Sequence, residues 1–451
     1  MKRRDFLKTA GVVAGAGLAG INVARGAQVQ GDDVIKVALV GCGGRGRGAI
    51  QQRLNVGDNI KVVAIADAFE SSANSAFEAI GAMKENFGDK IALTKENVFV
   101  GFDAYRKAID TCDQVLIATT PAFRPIHYKY AVEQGKHVFM EKPCCVDAPG
   151  YRSLMESNKI ADEKGLVVVV GLQRHYDKAY MAWFQKYQEG LLGDLIYSRV
   201  YWNGGGIWER PRQEGDTEMM YQMRNWYHFN WLSGDNICEQ HVHNLDVGNW
   251  IHGKGDPLVH PVRANGMGGR QVRRFPRFHN SGYRWDHFAI EFIYEDETRM
   301  ISQCRHSDKC WQAVHEEFHG TKGFGRADGW MKDYAGNDVW KYEGERPDPF
   351  QEEHIAQAKF IREGQKVNNG WYAATSSFIA CFGRMAAMSG EEITWDDAVN
   401  KGKAEFPLED VLSWEQNPPI LPDTELPAQP AAGEFIYENS DPIPGIWKWS
   451  M

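Results

Sequence analysis

The chain has 451 residues, enough for two or three domains, and its 43% apolar and 25% charged side chains are those of an ordinary globular protein. A formal net charge of −9 gives no electrostatic reason for nucleic acid as a partner. The eight cysteines contain no C-x-x-C pair and do not resemble a disulfide framework; Cys304 and Cys310 are the one close pair to check.

In chain order, Met1 to Lys8 carries Arg3-Arg4 ahead of Phe6-Leu7-Lys8, then a weakly apolar stretch rich in Ala, Gly and Val to about Ala24. This matches a bacterial twin-arginine export signal over 1–30 and predicts a periplasmic protein. No second apolar stretch is long enough to span a membrane. Next, Val34 to Val40 is an apolar run suited to a buried parallel strand. Gly41, Gly43 and Gly46 follow as G-x-G-x-x-G: a tight turn, close approach to a pyrophosphate, and close helix packing. A helix starting near Arg45 aims its amide N–H groups at that pyrophosphate. The second apolar run, Lys61 to Ala66, ends in Asp67, 21 residues beyond Gly46, where a ribose hydroxyl acceptor belongs. Ala68 and Phe69 offer no arginine to a 2′-phosphate, so NAD is expected over NADP, although Arg45 remains a phosphate candidate.

Strand and helix patterns keep alternating to about residue 172. They comprise an amphipathic stretch Ser71 to Phe87, strands near 97–100, 114–118, 136–140 and 166–170, and helices over 103–109, 126–134 and 149–164. This predicts a doubly wound parallel (Rossmann) sheet over 31–172. Beyond Gly171 the tryptophans and tyrosines concentrate, and stretches such as Asp194–Trp202 and His287–Tyr294 alternate in polarity. An α+β domain with a large, open, mostly antiparallel sheet is expected over 173–403. Helix formers return over 352–389, a short helix follows over 395–401, and an extended proline-rich arm is expected over 404–451.

Three stretches resemble one family. Ala118-Thr119-Thr120-Pro121 through His127, Gly135 through Glu141-Lys142-Pro143, and Gly41–Gly46 look like the glucose-fructose oxidoreductase, inositol dehydrogenase and rhizopine-catabolism (Gfo/Idh/MocA) family of NAD(P)-dependent sugar oxidoreductases. The resemblance runs from about Val34 to Asp397, includes Val170 to Arg174, and is to the secreted, twin-arginine branch. It implies a cofactor site of Gly41, Gly43, Gly44, Arg45, Gly46, Asp67, Thr119, Pro121, His127, Glu141 and Lys142. It also implies a homodimer or homotetramer and a carbohydrate substrate.

In that family the lysine of E-K-P lies beside nicotinamide and substrate, which gives Lys142 a catalytic role; an ammonium there stabilises an alkoxide as hydride leaves. Cys238 to Asp246 follows the family's Asp-x-x-x-His pattern with Glu239 in the place of Asp, so the reach of that carboxylate differs. His243 is the candidate base and Glu239 its catalytic companion; Arg174, His241 and Asp246 are candidates for the substrate. In an extended segment Glu239, His241 and His243 share a face, which leaves a zinc or manganese site open beside a metal-free catalytic cluster and structural histidines. Arg174, His175 and Tyr176 follow a strand end, and Trp202, Trp208, Tyr227, Trp231 and His287 are candidate sugar contacts.

The twin-arginine route carries folded proteins to a compartment with no NAD pool, so the cofactor is expected to travel with the protein and not to dissociate. The leading expectation is an NAD-dependent oxidoreductase acting on a sugar or glycoside hydroxyl. The alternative is an NAD-dependent glycosidase working by oxidation, elimination, hydration and reduction; a sugar-binding protein with trapped nucleotide is the third reading.

Overall fold

The computed structural model describes residues 31–270, 284–406, 408, 413–419 and 421. The expected export signal, and all of the proline-rich arm except 404–406, 408, 413–419 and 421, lie outside the described residues. Strands β1 (Ile35–Val40), β2 (Ile60–Asp67), β3 (Val98–Val100), β4 (Gln114–Ile117), β5 (His137–Met140) and β6 (Val168–Val170) form one sheet in the order β3-β2-β1-β4-β5-β6. Every pairing is parallel. β1, β4, β5 and β6 are almost wholly apolar and buried, as they must be with both sheet faces covered. The strand order reverses between β1 and β4, which opens a crevice beyond their carboxyl ends.

The second sheet has nine strands: β7 (Leu195–Gly204), β8 (Arg263–Gly269), β9 (His287–Ile293), β10 (Arg299–His306), β11 (Ala313–Gly320), β12 (Gly323–Arg326), β13 (Trp330–Asp333), β14 (Asp338–Lys341) and β15 (Ile393–Thr394). Their order is β14-β13-β12-β11-β7-β10-β9-β8-β15. Only β7 with β10 is parallel, so the sheet is mostly antiparallel. On β9, Phe288, Ile290 and Phe292 point into the core while the residues between them are half-exposed. Helices Val242–His252 and Gly370–Ser389 pack on this sheet. Gly248 lets the first of them approach, because a Cβ there would meet Met300 and Val200.

The chain does not stay on one side of residue 172. Helix Pro349–Arg362 returns to the first sheet, where Gln357 donates to the Val138 carbonyl (2.7 Å) and accepts from Gln114 Nε2 (2.7 Å). Arg362 pairs with Asp58 (2.9 Å), and Asn369 N–H donates to the Val168 carbonyl (2.9 Å). The amphipathic stretch after Asp67 divides into helices Glu70–Ala82 and Lys84–Phe87. Cys304 and Cys310 are both free, one buried and one exposed. Among the described residues no helix is long and apolar enough to cross a membrane.

Candidate active site

A cleft of about 750 Å³ lies at the β1–β4 switch point. β1 ends in Gly41, whose φ of +98° and whose hypothetical Cβ, 2.6 Å from the Ala118 carbonyl carbon and Thr119 N, both require glycine. At Gly46 a Cβ would collide with the Gly41 carbonyl oxygen, so glycine lets helix Gly44–Asn55 seat against the turn. Gly43 lines the cleft and Gly44 is its neighbour, and at both a Cβ position would meet open space. That cradle faces the start of a twelve-residue helix whose first turn has no acidic side chain to offset its positive end.

Asp67 closes β2 at the cleft, with Oδ2 accepting from Cys42 N–H (2.7 Å) and Oδ1 from Phe69 N–H (2.8 Å). Burial pushes its carboxyl up from the usual range, and these amides offset part of that. Thr119 and His127 line the middle of the cleft and bond to each other (Oγ1–Nδ1, 3.1 Å). Burial, with Arg124 and Arg106 nearby, pushes His127 down to about 3, so it is a neutral ring. Pro121 starts the 3₁₀ turn Pro121–Phe123 and is buried behind the cleft wall. Turn, cradle and carboxylate together fit a dinucleotide, with pyrophosphate at Gly43–Gly44 and ribose at Asp67.

Arg45 lines the cleft but its guanidinium turns to protein carboxylates. It pairs with Glu141 and Glu353 (3.3 Å), and donates to Gln52 (2.6 Å). Glu353 is fully buried, which holds its carboxyl well above the ordinary range, with the nearby Glu141 charge adding to the effect. Gly171 lines the cleft beside Glu141, and a Cβ there would fall 2.8 Å from Glu141 Oε2.

At the other end, Lys142 Nζ donates to the Glu239 carbonyl oxygen (2.5 Å) and to Glu239 Oε1 (3.2 Å). Lys142, Glu239 and His243 all line the cleft. Among the described residues Glu239 Oε2 and His243 Nδ1 are buried with no hydrogen-bond partner. Burial, reinforced by Lys142 and Arg174, holds His243 well below ordinary histidine, so the ring is neutral. Trp202 lines the same end and lies 5.9 Å from the His243 ring.

The expected extended face of Glu239, His241 and His243 does not exist. The segment is helical, Asp235–Glu239 followed by Val242–His252, so alternate residues diverge. His241 is buried, turns away from the cleft and bonds Ser302 Oγ (2.8 Å). Among the described residues no group of three His, Cys, Asp or Glu side chains is placed to hold a metal. Arg174 is committed to Glu316, and Asp246 joins His175 (2.9 Å) to Ser376 (2.8 Å); neither lines the cleft. Tyr176 bonds Asn369, and Trp231 is a core side chain bonded to Gln222. Trp208 is 42% exposed, Tyr227 is buried near Glu239, and His287 pairs with Asp286. Sequence reasoning missed Gly171 and Gln173, although both follow a strand end. It also missed Met223, Arg224 and Trp226, for which the sequence carries no signal.

Comparison with known proteins bears on this geometry. Residues 35–172 match the family model described as "Oxidoreductase family, NAD-binding Rossmann fold" (GFO_IDH_MocA). Inositol 2-dehydrogenase of Klebsiella pneumoniae (strain 342) is 24% identical over 220 residues, 48% of this chain and 54% of that protein. The enzyme of the same name from Burkholderia vietnamiensis is 27% identical over 223 residues, 49% of this chain and 55% of that one. The chain thus spans about half the length of the curated relatives it matches. Scyllo-inositol dehydrogenase from Lactobacillus casei, solved with NAD(H) and scyllo-inositol, has a TM-score of 0.59 at 18% identity, covering 80% of this chain and 99% of that one. Aldose-aldose oxidoreductase from Caulobacter crescentus, solved with glycerol, has a TM-score of 0.60 at 16% identity, covering 80% and 100%. Residues 35–172 therefore match the Gfo/Idh/MocA oxidoreductase family model, and 80% of the chain shares the fold of those solved structures.

Proposed function

We propose that the protein is an NAD-dependent oxidoreductase acting on a hydroxyl of a sugar or glycoside. The observation that carries this reading is the meeting of Lys142, Glu239 and His243 at one end of the cleft whose other end is the glycine turn and Asp67. NAD bound along that cleft supplies the hydride acceptor. Lys142 donates to the substrate oxygen and stabilises the alkoxide as its carbon gives up hydride. His243, held neutral, takes the hydroxyl proton on its imidazole. Glu239 holds Lys142 through Oε1 and offers Oε2 to a second hydroxyl.

The same reading includes export by the twin-arginine route, supported by Arg3-Arg4, and NAD kept through turnover. It includes a homodimer or homotetramer, which the family resemblance implies. The test is incubation of the purified protein with sugars and glycosides, without added NAD, read by mass spectrometry. Loss of two hydrogens from a substrate is the expected result. Gain of water with release of a sugar assigns glycoside hydrolysis through a keto intermediate instead. No change in any substrate, together with no NAD on denaturing the protein and no activity when NAD is added, overturns the reading.

A further inference from the structure

The family match ends at residue 172, but the cleft extends past it. Met223 and Arg224, at the end of helix Glu218–Arg224, line the same cleft as Asp67 and Phe69. Phe69 follows the ribose carboxylate by two residues, and Phe102 follows the neighbouring strand β3, so both mark the adenosine end. The Arg224 guanidinium lies 5.7 Å from the Phe69 ring and is held by Asp216 (2.6 Å). Met219, Met223 and Trp231 form one apolar cluster with Phe123, against which Phe69 and Phe102 pack. A piece of the second domain therefore lies over the nucleotide end of the first.

Trp414 fixes that piece in place. Its ring packs on both Phe69 (4.5 Å) and Phe102 (4.6 Å). Its backbone carbonyl accepts from Thr217 Oγ1 (2.6 Å), and the same Thr217 oxygen caps the helix by accepting from Met220 N–H (3.2 Å). One side chain thus ties the covering helix to the C-terminal segment, and the C-terminal ring ties both to the first domain. Neither β-sheet needs this contact for its own pairing.

We propose that this cover, latched by Trp414, completes the adenosine half of the NAD site, so that the nucleotide leaves only when the Trp414 ring lifts from Phe69 and Phe102. This rests on the NAD reading above. A cover of this kind acts on departure more than on chemistry: the ring contacts must break before the adenosine can leave, and they re-form behind it.

The experiment is exchange of bound NAD against isotope-labelled NAD in the full-length protein, with the thermal midpoint of each NAD-free form measured alongside. The wild type is expected to exchange slowly and Trp414→Ala about ten- to a hundredfold faster, the scale of two lost ring–ring contacts. Trp414→Phe keeps a ring and is expected near the wild-type rate. Thr217→Val removes the latch bond and is expected to exchange faster, while Thr217→Ser, which keeps the hydroxyl, restores slow exchange. Wild-type exchange in both folded Trp414→Ala and folded Thr217→Val overturns the proposal. If Trp414→Ala does not fold, the Thr217 pair decides it: equal rates in the two variants overturn the latch. A wild type that neither carries NAD nor binds added NAD sinks the cofactor reading itself, an outcome separate from these.

Discussion

At the scale of single residues, the site is defined by what its polar atoms lack. Lys142 is held by two oxygens of Glu239, but Glu239 Oε2 and His243 Nδ1 have no partner among the described residues. Leaving buried polar atoms unpaired costs about 1–3 kcal/mol each, which a hydroxyl-rich ligand offsets. Lys142→Ala is expected to keep NAD and lose hydride transfer by about a hundredfold or more, the scale of a preorganised charge. Near-normal single-turnover rates in that variant would remove Lys142 from the chemistry. The two histidines part company: His243→Asn is expected to abolish turnover. His241→Asn, which leaves Ser302 without its partner outside the cleft, is expected to lower stability by about 1–3 kcal/mol while the folded enzyme keeps its kcat/KM. Loss of turnover in folded His241→Asn would return that residue to the site.

At the scale of elements, strand β1, its turn and the helix after it act as one device. Gly46 sits beneath the Gly41 carbonyl, so Gly46→Val must push the helix off the turn and the pyrophosphate cradle with it. The expected result is a protein purified without NAD and destabilised by about 1–3 kcal/mol, the scale of overpacking; bound NAD and thermal midpoint check it, and full NAD occupancy would contradict it. This device was legible in the sequence because its physics is local: β-branched run, glycine spacing and terminal acid all lie between Ile35 and Asp67. Lys142 and Glu141 were legible through the family resemblance of Glu141-Lys142-Pro143 just past a strand end. The Cys238–Asp246 stretch was not, because alternating ligand types suggested a strand. The helix that forms there is buried all round, every residue from Val242 to Asn249, so no polar face marks its period in the sequence. The docking of helix Pro349–Arg362 on the first sheet and the Trp414 latch were invisible for the opposite reason. Their partners, Gln114 and Phe69, are hundreds of residues away, and no spacing rule reaches that far.

At the scale of the whole molecule, five of the described histidines are held as neutral rings by the protein packed around them: His127, His241, His243 and His354, which are buried, and His252, which is half-buried. Burial is the first cause in each case, and it pushes His127, His241 and His252 down to about 3. In the unfolded chain each titrates near 6.5, so from about pH 6.5 down to about 3 the unfolded state binds more protons than the native one. The sign follows: this stability is complete above about 6.5 and is lost as pH falls toward 3, at up to about 1.4 kcal/mol per pH unit for each ring. Six of the described acids act the other way: burial raises Asp67, Asp147, Asp235, Glu316, Glu353 and Glu405. Burial lifts Glu405 to about 7 and Glu353 well above its ordinary value, so their protonated native forms are lost, and stability with them, as pH rises through those values. The two sets oppose each other as pH changes, so the histidine contribution is read one ring at a time. His252 isolates one step of this. It lies far from the cleft wall, stacked 4.0 Å from Tyr294 and bonded to Ser198 (2.9 Å) and Thr298 (3.0 Å). His252→Gln is expected to be less stable than the wild type at pH 7.5, with the gap narrowing steadily as pH drops toward 4.5, because only the wild type loses stability through that ring. Calorimetry of the two proteins at matched pH checks it, and a gap that stays constant would mean that His252 accepts its proton without unfolding.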